Sequence, residues 1–231
     1  RTKQEVRYMK YKAIIFDLDG TLLNTLEDLA NSMNHVLKSQ GLPVHEVEEY
    51  KYLVGKGMYN LAQKALPPEK REESFIKYCQ QLMQEEYGKR WADTTRPYDG
   101  IPELLDKLTA LRYKLAVLSN KPHEFTIQIV EKLLGRWKFD AVFGEREGIP
   151  RKPDPTAALE IAKLLNIAPE KFVYVGDSGV DMKTAKSAGM YAVGALWGFR
   201  EADELLENGA DALIEKPLEL LEILKDTSCG E

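Results

Sequence analysis

Five short apolar runs constrain this chain more than any other feature: Ala13-Ile14-Ile15-Phe16, Leu115-Ala116-Val117-Leu118, Ala141-Val142-Phe143, Phe172-Val173-Tyr174-Val175 and Tyr191-Ala192-Val193. They are rich in β-branched residues and lack apolar/polar alternation, so each reads as a strand buried on both faces. Helical patterns separate the later runs. Residues 102–112 open with Pro102, residues 122–134 place Phe125, Ile129 and Leu133 four apart, and residues 155–166 and 178–188 follow suit. Strand alternating with helix predicts a parallel sheet covered by helices on both faces, a doubly wound, Rossmann-like α/β core.

One stretch breaks the rhythm. Residues 24–97 contain no convincing strand but carry helical spacing, first at Leu26, Leu29, Met33, Val36 and Leu37, then at Met58, Leu61, Ala62 and Ala65, then at Phe75, Ile76, Cys79, Leu82 and Met83. Gly41-Leu42-Pro43 and Pro67-Pro68 punctuate them. This is too much chain for a simple crossover. The expected division is a core of residues 9–23 and 98–231 and an inserted all-helical cap of residues 24–97, with Thr94–Gly100 as the return linker. Residues 1–8 are polar, precede Met9, and read as an upstream extension or an expression remnant.

Charge narrows the partners. With 32 basic and 37 acidic residues the net charge is −5. That excess speaks against nucleic acid, which needs a basic stripe, but permits a small anion in a local positive pocket. No apolar run reaches membrane-spanning length and no signal-peptide pattern is present. Cys79 and Cys229, far apart, read as free thiols. The expectation is a cytoplasmic protein, monomer or homodimer, without membrane or nucleic-acid partners.

In open parallel sheets ligands bind outside the carboxyl ends of the strands, and the residues there are informative. The first run ends in Asp17-Leu18-Asp19-Gly20-Thr21. Two carboxylates beside a buried strand are costly without a cation or a shared proton, and Gly20 permits a sharp turn. The second ends in Ser119-Asn120, both able to donate hydrogen bonds. In Arg151-Lys152-Pro153-Asp154-Pro155 two prolines stiffen the backbone around Lys152, and Asp154 is expected to cap a helix that has Pro155 in its first turn. The fourth ends in Gly176-Asp177-Ser178-Gly179-Val180-Asp181. Asp177 and Asp181, four apart at a helix start, repel each other, and a divalent metal is a natural reason for the pair. Oxygen ligands suit Mg²⁺.

These four segments, in this order, resemble the haloacid dehalogenase superfamily of phosphohydrolases, and residues 24–97 resemble its helical cap. Leu53–Met58, Ser119-Asn120-Lys121-Pro122 and Trp197-Gly198-Phe199 are most similar to its phosphoglycolate phosphatase branch. The resemblance implies roles. Asp17 would attack phosphorus and become an aspartyl phosphate. Asp19 would protonate the leaving oxygen and then activate water. Thr21, Ser119, Asn120 and Lys152 would serve the phosphoryl group. Mg²⁺ would sit on Asp17, the backbone carbonyl of Asp19, Asp177 and Asp181. The cap loop Gly55-Lys56-Gly57 would reach over the site, with Lys56 meeting a substrate carboxylate. The implied substrate is a small phosphorylated metabolite, 2-phosphoglycolate first.

Asp19 separates branches of the superfamily. Halide needs no proton to leave, and phosphonate-cleaving relatives carry a small residue there. A β-phosphoglucomutase-type phosphomutase shares both aspartates, but would need sugar-binding groups in its cap. A receiver-like phosphoryl-binding module is opposed by Asp19, which would destroy a lasting phosphoaspartate. Blander readings attach to other residues. Asp181 could answer the helix dipole, and Lys56 could be a solvated loop residue. His35, His45 and His123 have no metal-ligand spacing. Trp197 and Phe199 are expected to pack a loop.

Overall fold

The computed structural model describes residues 10–225. The expectations for residues 1–8 and for Cys229 lie outside the described residues. Eight strands and ten α-helices are described. In chain order they are β1 (Ala13–Phe16), β2 (Leu23–Asn24), α1 (Leu26–Ser39), α2 (Tyr50–Leu53), α3 (Met58–Ala65), α4 (Glu73–Arg90), β3 (Arg96–Pro97), α5 (Ile101–Ala110), β4 (Lys114–Pro122), α6 (His123–Leu134), β5 (Ala141–Glu145), α7 (Thr156–Leu165), β6 (Phe172–Gly176), α8 (Gly179–Ser187), β7 (Tyr191–Ala195), α9 (Ala202–Glu207), β8 (Ala212–Ile214) and α10 (Leu220–Leu224).

Six strands form one parallel sheet in the order β5-β4-β1-β6-β7-β8. All five apolar runs are in it. β8 was not anticipated, because three residues carry too little pattern to read. β1 is central: Ala13 pairs with Lys114 of β4 on one side and with Phe172 of β6 on the other. The chain fills one side of β1 and then crosses to the other, so the carboxyl ends of β4, β1 and β6 share the crevice where such sheets bind ligands.

Alternation along the strands divides the core. Ile14 and Phe16 of β1 join Val117, Val175 and Leu105 of α5 on one face. Ala13 and Ile15 join Ala158 of α7, Phe172, Tyr174 and Met182 of α8 on the other. Both faces are dry, which is why the runs do not alternate.

Helices α1 to α4 are the inserted cap. α1 and α4 pack along each other, with Met33, Leu37, Ile76, Met83 and Tyr87 among their buried residues. Free Cys79 is also buried there. Where no strand was expected, Leu23–Asn24 and Arg96–Pro97 pair as a two-stranded antiparallel ribbon. It ties together the two chain passages between sheet and cap. A second clasp lies beside it: buried Asp28 of α1 accepts hydrogen bonds from the backbone and hydroxyl groups of both Thr94 and Thr95, at 2.7–3.1 Å. No helix among the described residues is long and apolar enough to cross a membrane.

Candidate active site

The loop after β1 brings Asp17 to the end of the sheet. Asp17 is buried, its backbone N–H donates to Val175 O at 2.9 Å, and its Oδ1 accepts from Leu18 N at 2.7 Å. Lys152 Nζ lies 2.9 Å from the same oxygen. Both of these contacts fall on Oδ1 rather than Oδ2. Burial pushes the Asp17 carboxyl well above the usual range, Asp181 adds to this, and Lys152 opposes it.

Lys152 follows β5 and precedes α7. Its ammonium donates to Leu118 O at 3.0 Å and to Asp181 Oδ1 at 2.7 Å besides meeting Asp17. Burial works to lower its pKa, but Asp17 and Asp181 together hold it well above the ordinary lysine value. It is therefore a charged lysine inside the protein, compatible with burial only because its acidic partners are so close. The helix cap beside it differs from expectation. Pro155 precedes α7 rather than entering its first turn, and Asp154 Oδ1 accepts from Thr156 N at 2.9 Å.

β6 delivers Asp177, and α8 delivers Asp181. Asp177 Oδ2 accepts from Phe199 N at 2.7 Å, and Thr21 Oγ1 reaches Asp177 Oδ1 at 3.4 Å. Burial, then Asp181, raises the Asp177 carboxyl to about 7. Asp181 Oδ2 accepts from Ser178 N and Oγ in a capping box, and its Oδ1 takes Lys152 and Tyr174 Oη. Both Asp181 oxygens are thus engaged by protein groups.

Can these residues hold a divalent cation? Asp17, Asp177 and Asp181 each offer a carboxylate oxygen, all within 4.8 Å of one another, and all three residues are buried. Three clustered acids against one lysine leave a negative excess in a dry place. Burial first and the neighbouring Asp181 second raise the Asp17 and Asp177 carboxyls. An all-oxygen donor set of this kind fits a hard cation. Asp17 and Asp177 have the freer oxygens, and Asp181 stands behind them, occupied with Lys152.

Several expected site residues take other positions. Thr21 is fully buried and bonds to Asp177 instead of facing the cavity. Asn120 donates from Nδ2 to Gly55 O and Lys152 O, both at 3.1 Å, and accepts from Lys152 N at 3.0 Å. Its side chain is a clamp between β4, the Lys152 loop and the cap, with no amide proton left for phosphate. This corrects the expectation, and β4 itself runs on past Ser119 and Asn120 to Pro122. Ser119 does line the cavity, where its Oγ accepts from Lys121 N at 3.1 Å. Gly55 and Gly57 line it too, whereas Lys56 is exposed and does not.

Three participants were given no role from the sequence, although Lys121 and Gly198 lie in segments that carry the resemblance. Lys121 Nζ sits 3.0 Å from Asp19 Oδ1, inside the cavity wall. Arg200 donates to Val54 O at 3.1 Å and to Lys51 O, joining the core to the cap loop. Gly198 permits close packing: a Cβ there would lie 2.2 Å from Asp177 Cβ and 2.5 Å from Gly20 O. Trp197 and Phe199 pack as expected, and with Trp197 Nε1 donating to Thr21 O at 2.9 Å and Phe199 N to Asp177 Oδ2, their loop also cradles Asp177. Gly20 needs its glycine for the same reason, since it adopts φ +84° and a Cβ would meet Asp177 Oδ2 at 2.2 Å.

The cavity has a volume of about 50 Å³, with the carboxylates and Lys152 below and Leu29, Val54, Met58 and Leu61 of the cap above. Charge lies at one end and apolar surface at the other. The space is room for a few waters, which suits a substrate of few heavy atoms.

Comparison with known proteins agrees with this geometry. A family model described as haloacid dehalogenase-like hydrolase matches residues 14–195. The phosphoglycolate phosphatase of Chromobacterium violaceum is 31% identical over 218 residues, covering 93% of this chain and 97% of its own. That of Aquifex aeolicus is 31% identical, covering 92% and 96%. Among solved structures, one from Lactobacillus delbrueckii subsp. bulgaricus, with a provisional phosphoglycolate phosphatase assignment, superimposes with a TM-score of 0.88. It is 32% identical, covering 94% of this chain and 99% of its own.

Proposed function

This chain belongs to the haloacid dehalogenase-like hydrolase family and acts on phosphoric monoesters; we propose that its substrate is small, with 2-phosphoglycolate leading, and that hydrolysis proceeds through an aspartyl phosphate on Asp17. The observation that carries this reading is the convergence of Asp17, Lys152 and Asp177 beneath a small, apolar-roofed cavity.

Asp17 Oδ2 attacks phosphorus, and the bond from phosphorus to the leaving oxygen breaks. Asp19 gives its proton to that oxygen. In the second half a water oxygen attacks the phosphoryl phosphorus, its proton passes to Asp19, and Asp17 is released with inorganic phosphate. A carboxylate meeting a phosphate dianion is a like-charge encounter. Lys152, bridging Asp17 and Asp181, and the Ser119 hydroxyl offset that repulsion and receive the phosphoryl oxygens. The residues that would hold Mg²⁺ are Asp17, Asp177 and the backbone carbonyl of Asp19, with Asp181 behind them; when bound, the ion supplies positive charge for phosphoryl oxygens. The apolar cap surface excludes water and limits the leaving group.

The names of the relatives favour 2-phosphoglycolate, and the small cavity agrees. A phosphate-release panel with Mg²⁺, covering phosphoglycolate, pyrophosphate and sugar phosphates, tests it. The highest kcat/KM should belong to phosphoglycolate. A sugar phosphate outperforming it would overturn the substrate, and no release from any compound would overturn the reaction.

A further inference from the structure

Lys121 is a buried cation with no part in the chemistry above. It lies near the end of β4, its side chain is 2% exposed, and its ammonium stands 3.0 Å from Asp19 Oδ1. Asp19 Oδ1 is buried, and the Lys121 ammonium is the group that compensates it. On its other side the ammonium lies 4.5 Å from the ring centroid of Tyr87. Tyr87 belongs to α4 of the cap, is fully buried, and is backed by an edge contact with Phe125 of α6 at 5.6 Å. Asp19 and Lys121 both line the cavity.

Resting on the phosphatase reading, we propose that Lys121, held by the ring of Tyr87, is the positioning residue that aims Asp19 at the leaving oxygen and then at the attacking water. The physical reason is freedom. An aspartate side chain has two rotatable bonds, and Asp17 is restrained by Leu18 N and Lys152 while, among the described residues, Asp19 has Lys121 as its one anchor. Fixing Oδ1 leaves Oδ2 to face the phosphoryl group. A misplacement of about 1 Å in such a group costs on the order of 10²-fold in rate. The aromatic wall comes from the cap and the ammonium from the core, so Asp19 is aligned only while the two pack together.

The test compares two leaving groups. An aryl phosphate such as p-nitrophenyl phosphate needs no proton to leave, but its phosphoenzyme still needs Asp19 to activate water. Lys121→Met should lower kcat for phosphoglycolate about 10²-fold with little change in KM. With p-nitrophenyl phosphate it should release one rapid equivalent of nitrophenol and accumulate acid-quenched phosphoenzyme. Tyr87→Leu should show the same pattern, about tenfold weaker, and serves should Lys121→Met fail to fold. In an Asp19→Ala background, Lys121→Met should have no further effect. Wild-type kcat in a folded Lys121→Met, loss of the nitrophenol burst itself, or full additivity with Asp19→Ala would each overturn the role of Lys121. Asp17→Asn separates the premise: phosphoenzyme persisting in that variant defeats the nucleophile assignment, whatever Lys121 does.

Discussion

The floor of the site and its roof are held in different ways. On the floor, Asp17, Lys152, Asp177 and Asp181 are all buried and each has several short partners. Gly20 and Gly198 let backbone press against Asp177 with no room for a methyl group. The roof meets the core through polar contacts made to its backbone, Asn120 to Gly55 O and Arg200 to Val54 O and Lys51 O, and through Tyr87 against Lys121 and Phe125. A narrow ribbon and the Asp28 clasp tie its two ends. Charge that must be stabilised in a transition state is best held by groups that need not move. A surface that must admit and release substrate is best held by contacts that can part and re-form.

The largest effect expected of this contrast is at Lys152. Lys152→Met leaves Asp17 and Asp181 facing each other without a cation. It should cost about 3–5 kcal/mol in stability and abolish measurable turnover, by urea melts and phosphate release; a variant that keeps both would break the picture of a preassembled floor. Next is Gly198→Ala, whose methyl group must displace Asp177. Overpacking of this kind costs about 1–3 kcal/mol, and kcat should fall about 10²-fold with a weakened Mg²⁺ requirement curve, read by metal titration of activity.

The third concerns pH. Asp177 is raised from 3.8 to about 7, by burial first and Asp181 second, and Asp17 is raised in the same direction. A carboxyl that holds its proton more tightly when folded contributes stability that is full below its unfolded pKa and is lost as pH rises through its folded one. Metal-free protein should therefore lose several degrees of Tm between about pH 5 and about pH 8 from these groups. Mg²⁺ at the higher pH should restore them, because a cation favours the ionised form. Calorimetry with and without chelator checks the sign, and a metal-free Tm that climbs across this range would contradict it. The smallest is Arg200→Ala. Its hydrogen bonds go to the roof, and the floor feels it only as a charge that lowers the Asp177 carboxyl, so KM for phosphoglycolate should rise several-fold while Tm shifts by only a few degrees; a collapse of kcat with KM unchanged would place Arg200 in the floor.

Much of this was legible in one dimension. All five apolar runs became strands because burial on both faces erases alternation, a pattern that survives in the sequence. Helices at 101–110, 123–134, 156–165 and 179–187 fell within a residue or two of expectation. Short pairings were not legible: β8 and the ribbon have too few residues to carry a period, and their partners are remote. Nor were the partners of polar side chains. Asn120 looked like a phosphate ligand because its type and place allowed it, and only the approach of Gly55 and Lys152 gave its amide to backbone. Lys56, between two glycines, looked poised over the site, and the loop turned it outward.

The sequence by itself determined the doubly wound sheet, the helical insertion and the order in which Asp17, Ser119, Lys152 and Asp177 reach the strand ends. Periodicity and punctuation are local, and a parallel sheet sends every strand's carboxyl end to one edge. Only the tertiary structure decided which of those groups share a hydrogen bond, and that Lys121 rather than Lys56 is the lysine facing the cavity beside Asp19. The physical reason is range. A side chain's partners lie within about 3 Å in space but as far as 176 residues away along the chain, as Trp197 and Thr21 do, and no local pattern encodes such a distance.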